Sequence, residues 1–130
     1  MVLLDTDIMI DLLRKYPPAV HWLASLGEEE IVLPGFVVME LLQGCQNKAE
    51  QDQVEQSISG CRIVWPTPEA CNAADVTFKQ FRLRHGLGMI DALIAHMAVG
   101  LSMPLHTFNQ KHYAVIASLT TVRPYQRIAP

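Results

Sequence analysis

The first residues in the chain that can do chemistry are two carboxylates, Asp5 and Asp7, separated only by the hydroxyl residue Thr6. They follow the apolar residues 2–4, which predict a buried strand, and they begin the stretch leading into residues 8–15, which predict a short helix. Ligands of open α/β sheets bind at such carboxyl ends of strands. We interpret Asp7 as the N-cap of the helix, because Asp is favoured at that position.

Asp5 is open to two interpretations. A carboxylate buried at a strand end is unstable unless it is paired or binds a metal. No Lys or Arg lies within eight residues of Asp5, so a local salt bridge does not neutralise it. Asp5 is therefore either a solvated acid at the end of the strand or part of a site that other acids complete.

Three further oxygen-bearing side chains are candidates for the same site. Glu40 lies in a helix predicted over residues 36–43, about 130° from the centre of its apolar stripe, which allows it to face either solvent or a cleft. Asp91 lies in the first turn of a helix predicted over residues 89–100, where the helix dipole alone would favour an acid. Asn109 follows a predicted strand and can equally cap a short turn.

Strands and helices alternate along the chain, and this alternation predicts a parallel sheet covered on both faces. The carboxyl ends of parallel strands meet at one rim, which brings together the residues that follow each strand. Strands are predicted at residues 2–4, 31–33, 62–65, 104–107 and 119–122, with further helices from residue 17 to about 27, 47–59 and 69–85. Asp91 reaches the rim only if its helix begins there.

Length and composition limit the class of protein. A chain of 130 residues, half of them apolar, is one domain with its own core. No apolar run approaches the ~20 residues of a membrane span, and the N-terminus lacks the basic region of a secretory signal. Three cysteines without CxxC spacing, Cys45, Cys61 and Cys71, are expected to be buried or half-buried thiols in a reducing cytoplasm. The net charge of −3 argues against a passive nucleic-acid binder with a broad basic face.

Acids that converge at the rim would repel one another unless a divalent cation is bound. A site made only of oxygen ligands suits Mg²⁺ or Mn²⁺. A carboxylate-bound cation of this kind activates water and offsets the charge of a phosphate during phosphodiester hydrolysis.

Four motifs, in order and spacing, resemble those of a PIN domain, and in particular those of the VapC-like ribonuclease toxins of bacterial and archaeal toxin–antitoxin pairs. The motifs are Leu4-Asp5-Thr6-Asp7, Met39-Glu40-Leu41-Leu42-Gln43-Gly44, Ile90-Asp91-Ala92-Leu93-Ile94-Ala95 and Thr107-Phe108-Asn109. The resemblance covers nearly the whole chain. It implies a single PIN domain over residues 1–130, an α/β/α sandwich with a mainly parallel sheet of four to five strands, and metal-dependent endoribonuclease activity.

Carried over by position, the resemblance makes Asp5, Glu40 and Asp91 the acidic catalytic and metal-site residues, with Glu40 able to act through water. Asn109 stands at a fourth site, where the family carries Asp or Asn and contacts the metal through water. Near its end the family pattern usually has another acid followed by Phe, and here those places hold His112 and Tyr113. This departure weakens a second metal position.

The resemblance also implies partners: an RNA substrate, a small antitoxin that holds the enzyme inactive, and a second copy of the chain in a homodimer. The antitoxin would lay an apolar or basic segment along the cleft. RNA would approach through Arg82, Arg84 and Lys111, with Thr6 as a further contact. These cations would compensate locally for an acidic protein.

Two alternatives compete with this interpretation. Asp5-Thr6-Asp7 after a strand is also similar to the haloacid-dehalogenase-like phosphatases, in which the first Asp is the nucleophile. The residues that follow, Ile8 and Met9, fit that pattern poorly, and no convincing phosphate-binding lysine is visible. The other alternative is a PIN module that binds RNA or protein without cutting, to which Asn109 and His112 give some support.

Overall fold

The computed structural model describes residues 1–127. The elements are, in chain order, β1 (Val2–Leu4), α1 (Thr6–Leu13), α2 (Pro17–Ser25), β2 (Ile31–Pro34), α3 (Gly35–Gln43), α4 (Lys48–Ser57), β3 (Arg62–Val64), α5 (Pro68–His85), α6 (Met89–Gly100), β4 (Leu105–His106), α7 (Gln110–Tyr113) and β5 (Thr121–Val122). The part of the single-domain prediction that concerns residues 128–130 lies outside this range.

Within the described residues the strands form one sheet in the order β3-β2-β1-β4-β5. Every pairing between neighbouring strands is parallel. The prediction of a parallel α/β sandwich is therefore confirmed. The chain adds β2 and β3 on one side of β1, and β4 and β5 on the other. The strand order thus reverses at β1, and α/β folds of this kind bind ligands at such a switch point.

The core is centred on β1 and its two neighbours. Leu3, Leu4, Leu33 and Leu105 are fully buried, which is the continuous apolar pattern of strands covered on both faces. Burying each such side chain contributes about 1.5–3 kcal/mol. This rigid centre fixes the carboxyl ends of β1 and β4 beside each other.

The prediction that Asp7 caps α1 is wrong. The N-cap is Asp5, whose backbone is extended and whose side chain accepts a hydrogen bond from the Thr6 backbone N–H. The Asp5 backbone N–H donates to the carbonyl of His106 in β4 at 3.0 Å. Because this sheet bond keeps Asp5 extended, the helix begins at the very next residue, earlier than the predicted residue 8. Asp7 then lies inside the first helical turn.

The connection between α5 and α6 determines where Asp91 lies. Gly86 ends α5 in the left-handed conformation, with φ of 65°, a backbone geometry that glycine adopts without steric cost. The next residue, Leu87, is buried and anchors the turn in the core. α6 then begins at Met89 as predicted, with Asp91 in its first turn.

The last two strands are shorter than the sequence predicts. β5 holds only Thr121 and Val122, because Leu119 belongs to a turn in which its backbone N–H donates to the carbonyl of Ile116. The other boundaries agree with the prediction within a few residues. The three cysteines are free and half-buried, as expected. Over residues 1–127, no helix has the length and apolar character needed to cross a membrane.

Candidate functional site

Asp5 is the centre of the candidate site. It is only 3% exposed, and three neutral donors from separate parts of the chain contact its carboxylate. The Thr6 backbone N–H lies 2.8 Å from Oδ1. The Thr107 hydroxyl lies 2.9 Å from Oδ2, and the Tyr113 hydroxyl lies 3.0 Å from the same oxygen. These donors orient the carboxylate without neutralising its charge.

The carboxyl end of β4 also binds the second acid of the first motif. Asp7 Oδ2 accepts a hydrogen bond of 2.8 Å from the Phe108 backbone N–H and lies 3.4 Å from the Thr107 hydroxyl. Asp7 Oδ1 accepts from the backbone N–H of Ile8. The side chain of Asp7 thus links α1 to the segment after β4 by hydrogen bonds.

Asp91 joins the site through the ring of Tyr113. The Tyr113 hydroxyl lies 3.3 Å from Asp91 Oδ1, while the same hydroxyl contacts Asp5. Tyr113 itself is 1% exposed, and Asp91 is half-buried. One buried hydroxyl therefore lies beside carboxylates from β1 and α6 at once.

Glu40 faces the site rather than open solvent, which decides between the two orientations that the helical pattern allowed. The hydroxyl of Thr6 donates to Glu40 Oε1 at 2.8 Å, and the side chain is half-buried. Asn109 is exposed; it is the residue before α7, and its side chain makes no capping hydrogen bond. Its backbone N–H donates to the Thr107 hydroxyl at 3.0 Å, so Asn109 lies at the edge of the same cluster.

Burial controls the protonation of the acids. Burial, and after it the charge of Asp7, raise the pKa of Asp5 to about 6 against the opposing effect of its three hydrogen-bond donors. Burial also raises the pKa of Asp7 and of Asp91, for which Tyr113 and the nearby His112 oppose the shift. The pKa of Tyr113 is raised as well, chiefly by burial, so its hydroxyl keeps its proton and acts as a donor.

The donor set fits a hydrated Mg²⁺ or Mn²⁺ better than a closed metal cage. Across residues 1–127, no group of three or more His, Cys, Asp or Glu side chains is already gathered as a metal cluster. Asp5 and Asp91 instead share one hydroxyl, with Glu40 linked to Asp5 through Thr6. Mg²⁺ is commonly bound by one or two carboxylates and keeps several waters, and this arrangement offers two carboxylates and a polar rim.

Sequence reasoning missed the contributions of two residues, Thr107 and Tyr113. Thr107 is fully buried and bonded to Asp5; the available signal is its place at the end of the strand predicted over residues 104–107. Tyr113 was noted only as a departure from the family pattern. Arg82, Arg84 and Lys111 are exposed, whereas the Thr6 hydroxyl is engaged with Glu40.

The fold and the cluster of acids at its switch point define a class of protein. A family model described as PIN domain matches residues 2–117. The chain therefore belongs to the PIN-domain family, as its four motifs predicted. This membership lends no support to the phosphatase alternative.

Within this family the chain is similar to proteins named ribonuclease VapC. Ribonuclease VapC19 of Mycobacterium tuberculosis is 32% identical over 124 residues, which cover 92% of this chain and 97% of that protein. Ribonuclease VapC10 of the same organism is 28% identical over 120 residues, covering 92% and 90%. The structure of a toxin–antitoxin complex from Klebsiella pneumoniae contains a chain with the same fold, with a TM-score of 0.76, 23% identity and coverage of 98% and 100%.

The raised pKa of Asp5 predicts how the stability of the metal-free protein depends on pH. Between about pH 4 and pH 6 the folded protein holds a proton on Asp5 that the unfolded chain releases, so folding loses stability as the pH rises through this window. We expect this contribution to reach about 2–3 kcal/mol. Asp5→Asn removes it. Urea unfolding in EDTA should therefore show a wild-type free energy of unfolding that falls, relative to the variant, between pH 4 and pH 7.

The matched control is Asp75→Asn, which changes an exposed acid that pairs with Lys79 on the surface of α5. Its pH profile should parallel that of the wild type. Equal pH profiles for the wild type and Asp5→Asn would contradict the assignment of a buried, unpaired carboxylate to Asp5.

Proposed function

We propose that the chain is a metal-dependent endoribonuclease that hydrolyses RNA phosphodiester bonds, and that it is the toxin of a toxin–antitoxin pair. The observation that carries the proposal is the buried carboxylate of Asp5, joined through Tyr113 to Asp91 and through Thr6 to Glu40. Within residues 1–127, no salt bridge involves Asp5, Glu40 or Asp91, and such a cluster is poorly stable on its own and well suited to a divalent cation. The similarity to proteins named ribonuclease supports RNA as the substrate.

The proposed metal ligands are Asp5 and Asp91, with Glu40 and Asn109 acting through water. When bound, Mg²⁺ or Mn²⁺ would supply an activated water and offset the charge on the scissile phosphate. The ionised form of each carboxylate is the one that binds the cation, and binding would bring the pKa of Asp5 back down.

The chain's own residues hold this arrangement in place. The backbone N–H of Thr6 fixes one oxygen of Asp5, while its hydroxyl aims Glu40 at the same rim. Thr107 fixes the other oxygen of Asp5 from β4. Asn109 is exposed beside this cluster, so its amide is available to water or to substrate. The acids thus lie at a strand end (Asp5) and on helices (Glu40 and Asp91) rather than on long loops.

We propose that the RNA backbone is bound by Arg82 and Arg84, in the last turn of α5, and by Lys111 in α7. All three side chains are exposed. The helix α5 leads through Gly86 directly into α6 and Asp91, and Lys111 is two residues from Tyr113. Phosphate contacts of this kind position a nucleic acid without reading its sequence.

The proposed protein partners are an antitoxin and a second copy of the chain. A cleft of about 280 Å³ is lined by apolar side chains of α1, α3 and α4, by Glu40 and by Arg14. Its apolar lining suits an apolar segment of the expected antitoxin, and Glu40 offers a basic segment one acidic contact. The exposed apolar side chains of α5 and α6 include Val76, Leu83 and Met89. We propose that they lie in the homodimer interface, because such interfaces are more apolar than the rest of a protein surface. We place the protein in the cytoplasm, where thiols stay reduced.

One observation favours the second candidate, a PIN module that binds RNA or protein without cutting. The Tyr113 hydroxyl occupies the space beside both Asp5 and Asp91, where the family pattern has a Phe without a hydroxyl. The presence of Asp5, Glu40 and Asp91 argues for the enzyme. Metal-dependent cleavage separates the two candidates.

We expect the purified, antitoxin-free protein to cut a mixed RNA pool in the presence of Mn²⁺ or Mg²⁺ and to stop in EDTA. Asp5→Asn and Asp91→Asn should each abolish cleavage, a loss of at least about 100-fold, because each removes charge that holds the cation. Both variants should fold as well as the wild type or better, since each relieves repulsion between carboxylates. Gel assays of cleavage and thermal unfolding measure the two effects.

The control for this experiment is again Asp75→Asn on the exposed face of α5, which should keep full activity. Folded wild-type protein that cuts no RNA at millimolar metal would favour the inert module. Loss of the fold in Asp5→Asn or Asp91→Asn would count against a metal site.

A second experiment tests the path of the RNA. The double variant Arg82→Ala, Arg84→Ala should raise KM by about tenfold with little change in kcat, because phosphate contacts remote from the reacting atoms bind substrate and transition state alike. The matched control is Arg62→Ala, at the amino end of β3 and paired with Glu30, away from the carboxyl ends of the strands. A KM unchanged in the double variant, or raised equally in Arg62→Ala, would remove Arg82 and Arg84 from the RNA path.

A further inference from the structure

We propose that Tyr113 is a positioning residue whose hydroxyl holds Asp5 and Asp91 together in the metal-free protein and competes with the cation for these two carboxylates. This inference rests on the proposed metal site. The hydroxyl would act in the opposite way to a metal ligand. It would stabilise the site without metal and would not stabilise the site with metal bound.

The geometry gives the hydroxyl two acceptors for one proton. It lies 3.0 Å from Asp5 Oδ2 and 3.3 Å from Asp91 Oδ1. A phenol carries a single proton, so the hydroxyl donates fully to one carboxylate at a time or is shared between them. In either case it places the positive end of an O–H dipole between two groups that otherwise repel each other.

Asp5 has little acceptor capacity left when this bond is made. A carboxylate has about four lone-pair positions. The Thr6 backbone N–H uses one on Oδ1, and the hydroxyls of Thr107 and Tyr113 use both on Oδ2. One position, on Oδ1, is left. The oxygens that face each other across the Tyr113 hydroxyl are Asp5 Oδ2 and Asp91 Oδ1, and a cation that bridges these two takes the place of the hydroxyl. Since a neutral phenol is not a good ligand for Mg²⁺, the hydroxyl must give way.

The ring, by contrast, has only a packing role. Tyr113 is 1% exposed and belongs to the hydrophobic core with Leu4, Leu105 and Ile116. Phe has the same ring and fills the same space, so Tyr113→Phe removes the hydroxyl without creating a cavity. The substitution therefore isolates the hydroxyl from the ring.

The test is calorimetric titration of Mn²⁺ into the metal-stripped full chain, without RNA, for wild type and Tyr113→Phe. We expect the variant to bind Mn²⁺ about threefold to tenfold more tightly, since no hydrogen bond to a charged group has to be given up. Without metal the variant should unfold at a lower temperature than wild type, and Mn²⁺ should raise its Tm by more. Weaker or unchanged Mn²⁺ affinity in Tyr113→Phe would overturn the proposal.

The matched control is Tyr125→Phe. Its hydroxyl also donates to a carboxylate, Asp11, at 2.6 Å, but it does not bridge Asp5 and Asp91. This variant should bind Mn²⁺ as the wild type does; a gain equal to that of Tyr113→Phe would contradict a local effect.

Two further results keep the test independent of the folding of Tyr113→Phe and of the proposed nuclease. In the wild type, Mn²⁺ should change the ultraviolet difference spectrum of tyrosine, and an unchanged spectrum on saturation would overturn the proposal. If the wild type binds no Mn²⁺ and Tyr113→Phe does, the wild type is an inert module and the competition stands. If neither binds Mn²⁺, both the competition and the metal-dependent nuclease fail.

Discussion

The structure depends on keeping one carboxylate buried at the end of the central strand. Asp5 is nearly inaccessible to solvent, and burial of such a group is costly unless hydrogen bonds or a cation compensate. Three donors compensate in part, one each from α1, the end of β4 and α7. All are neutral, so they do not balance the charge, and burial together with the charge of Asp7 raises the pKa of Asp5. The proposed divalent cation would supply that balance.

The sheet order makes this arrangement possible. Because β1 lies between β2 and β4, the residues that follow all three strands reach the same rim. β2 leads into α3 and Glu40, β4 ends at Thr107, and β1 ends at Asp5 itself. The remaining acid, Asp91, arrives by a different route, through the left-handed Gly86 and the buried Leu87. Asp5 and Asp91 thus meet at the hydroxyl of Tyr113, and Asp5 and Glu40 are linked through Thr6.

Much of this could be predicted from the sequence, for physical reasons that differ from residue to residue. The alternation of apolar strands and helices predicts the parallel sheet, and the strand ends predict that Asp5 and Glu40 lie near one rim. The orientation of Glu40 could not be predicted, because helical periodicity allowed two directions and a hydrogen bond from Thr6 decides between them. The N-cap was misassigned because the sheet bond from Asp5 to His106 is a tertiary contact. Tyr113 shows the same limit: its type is visible in sequence, but its bridging of two acids is visible only in three dimensions.

The proposal that Asp5 and Asp91 hold a divalent cation is tested by a crystal structure of the full chain grown with Mn²⁺. Anomalous scattering is recorded at the manganese edge. We expect an anomalous peak within coordination distance, about 2.0–2.3 Å, of carboxylate oxygens of both Asp5 and Asp91, with the Tyr113 hydroxyl moved off at least one of them. A peak elsewhere, or a site that keeps the Tyr113 bridge without manganese at millimolar concentration, would contradict it.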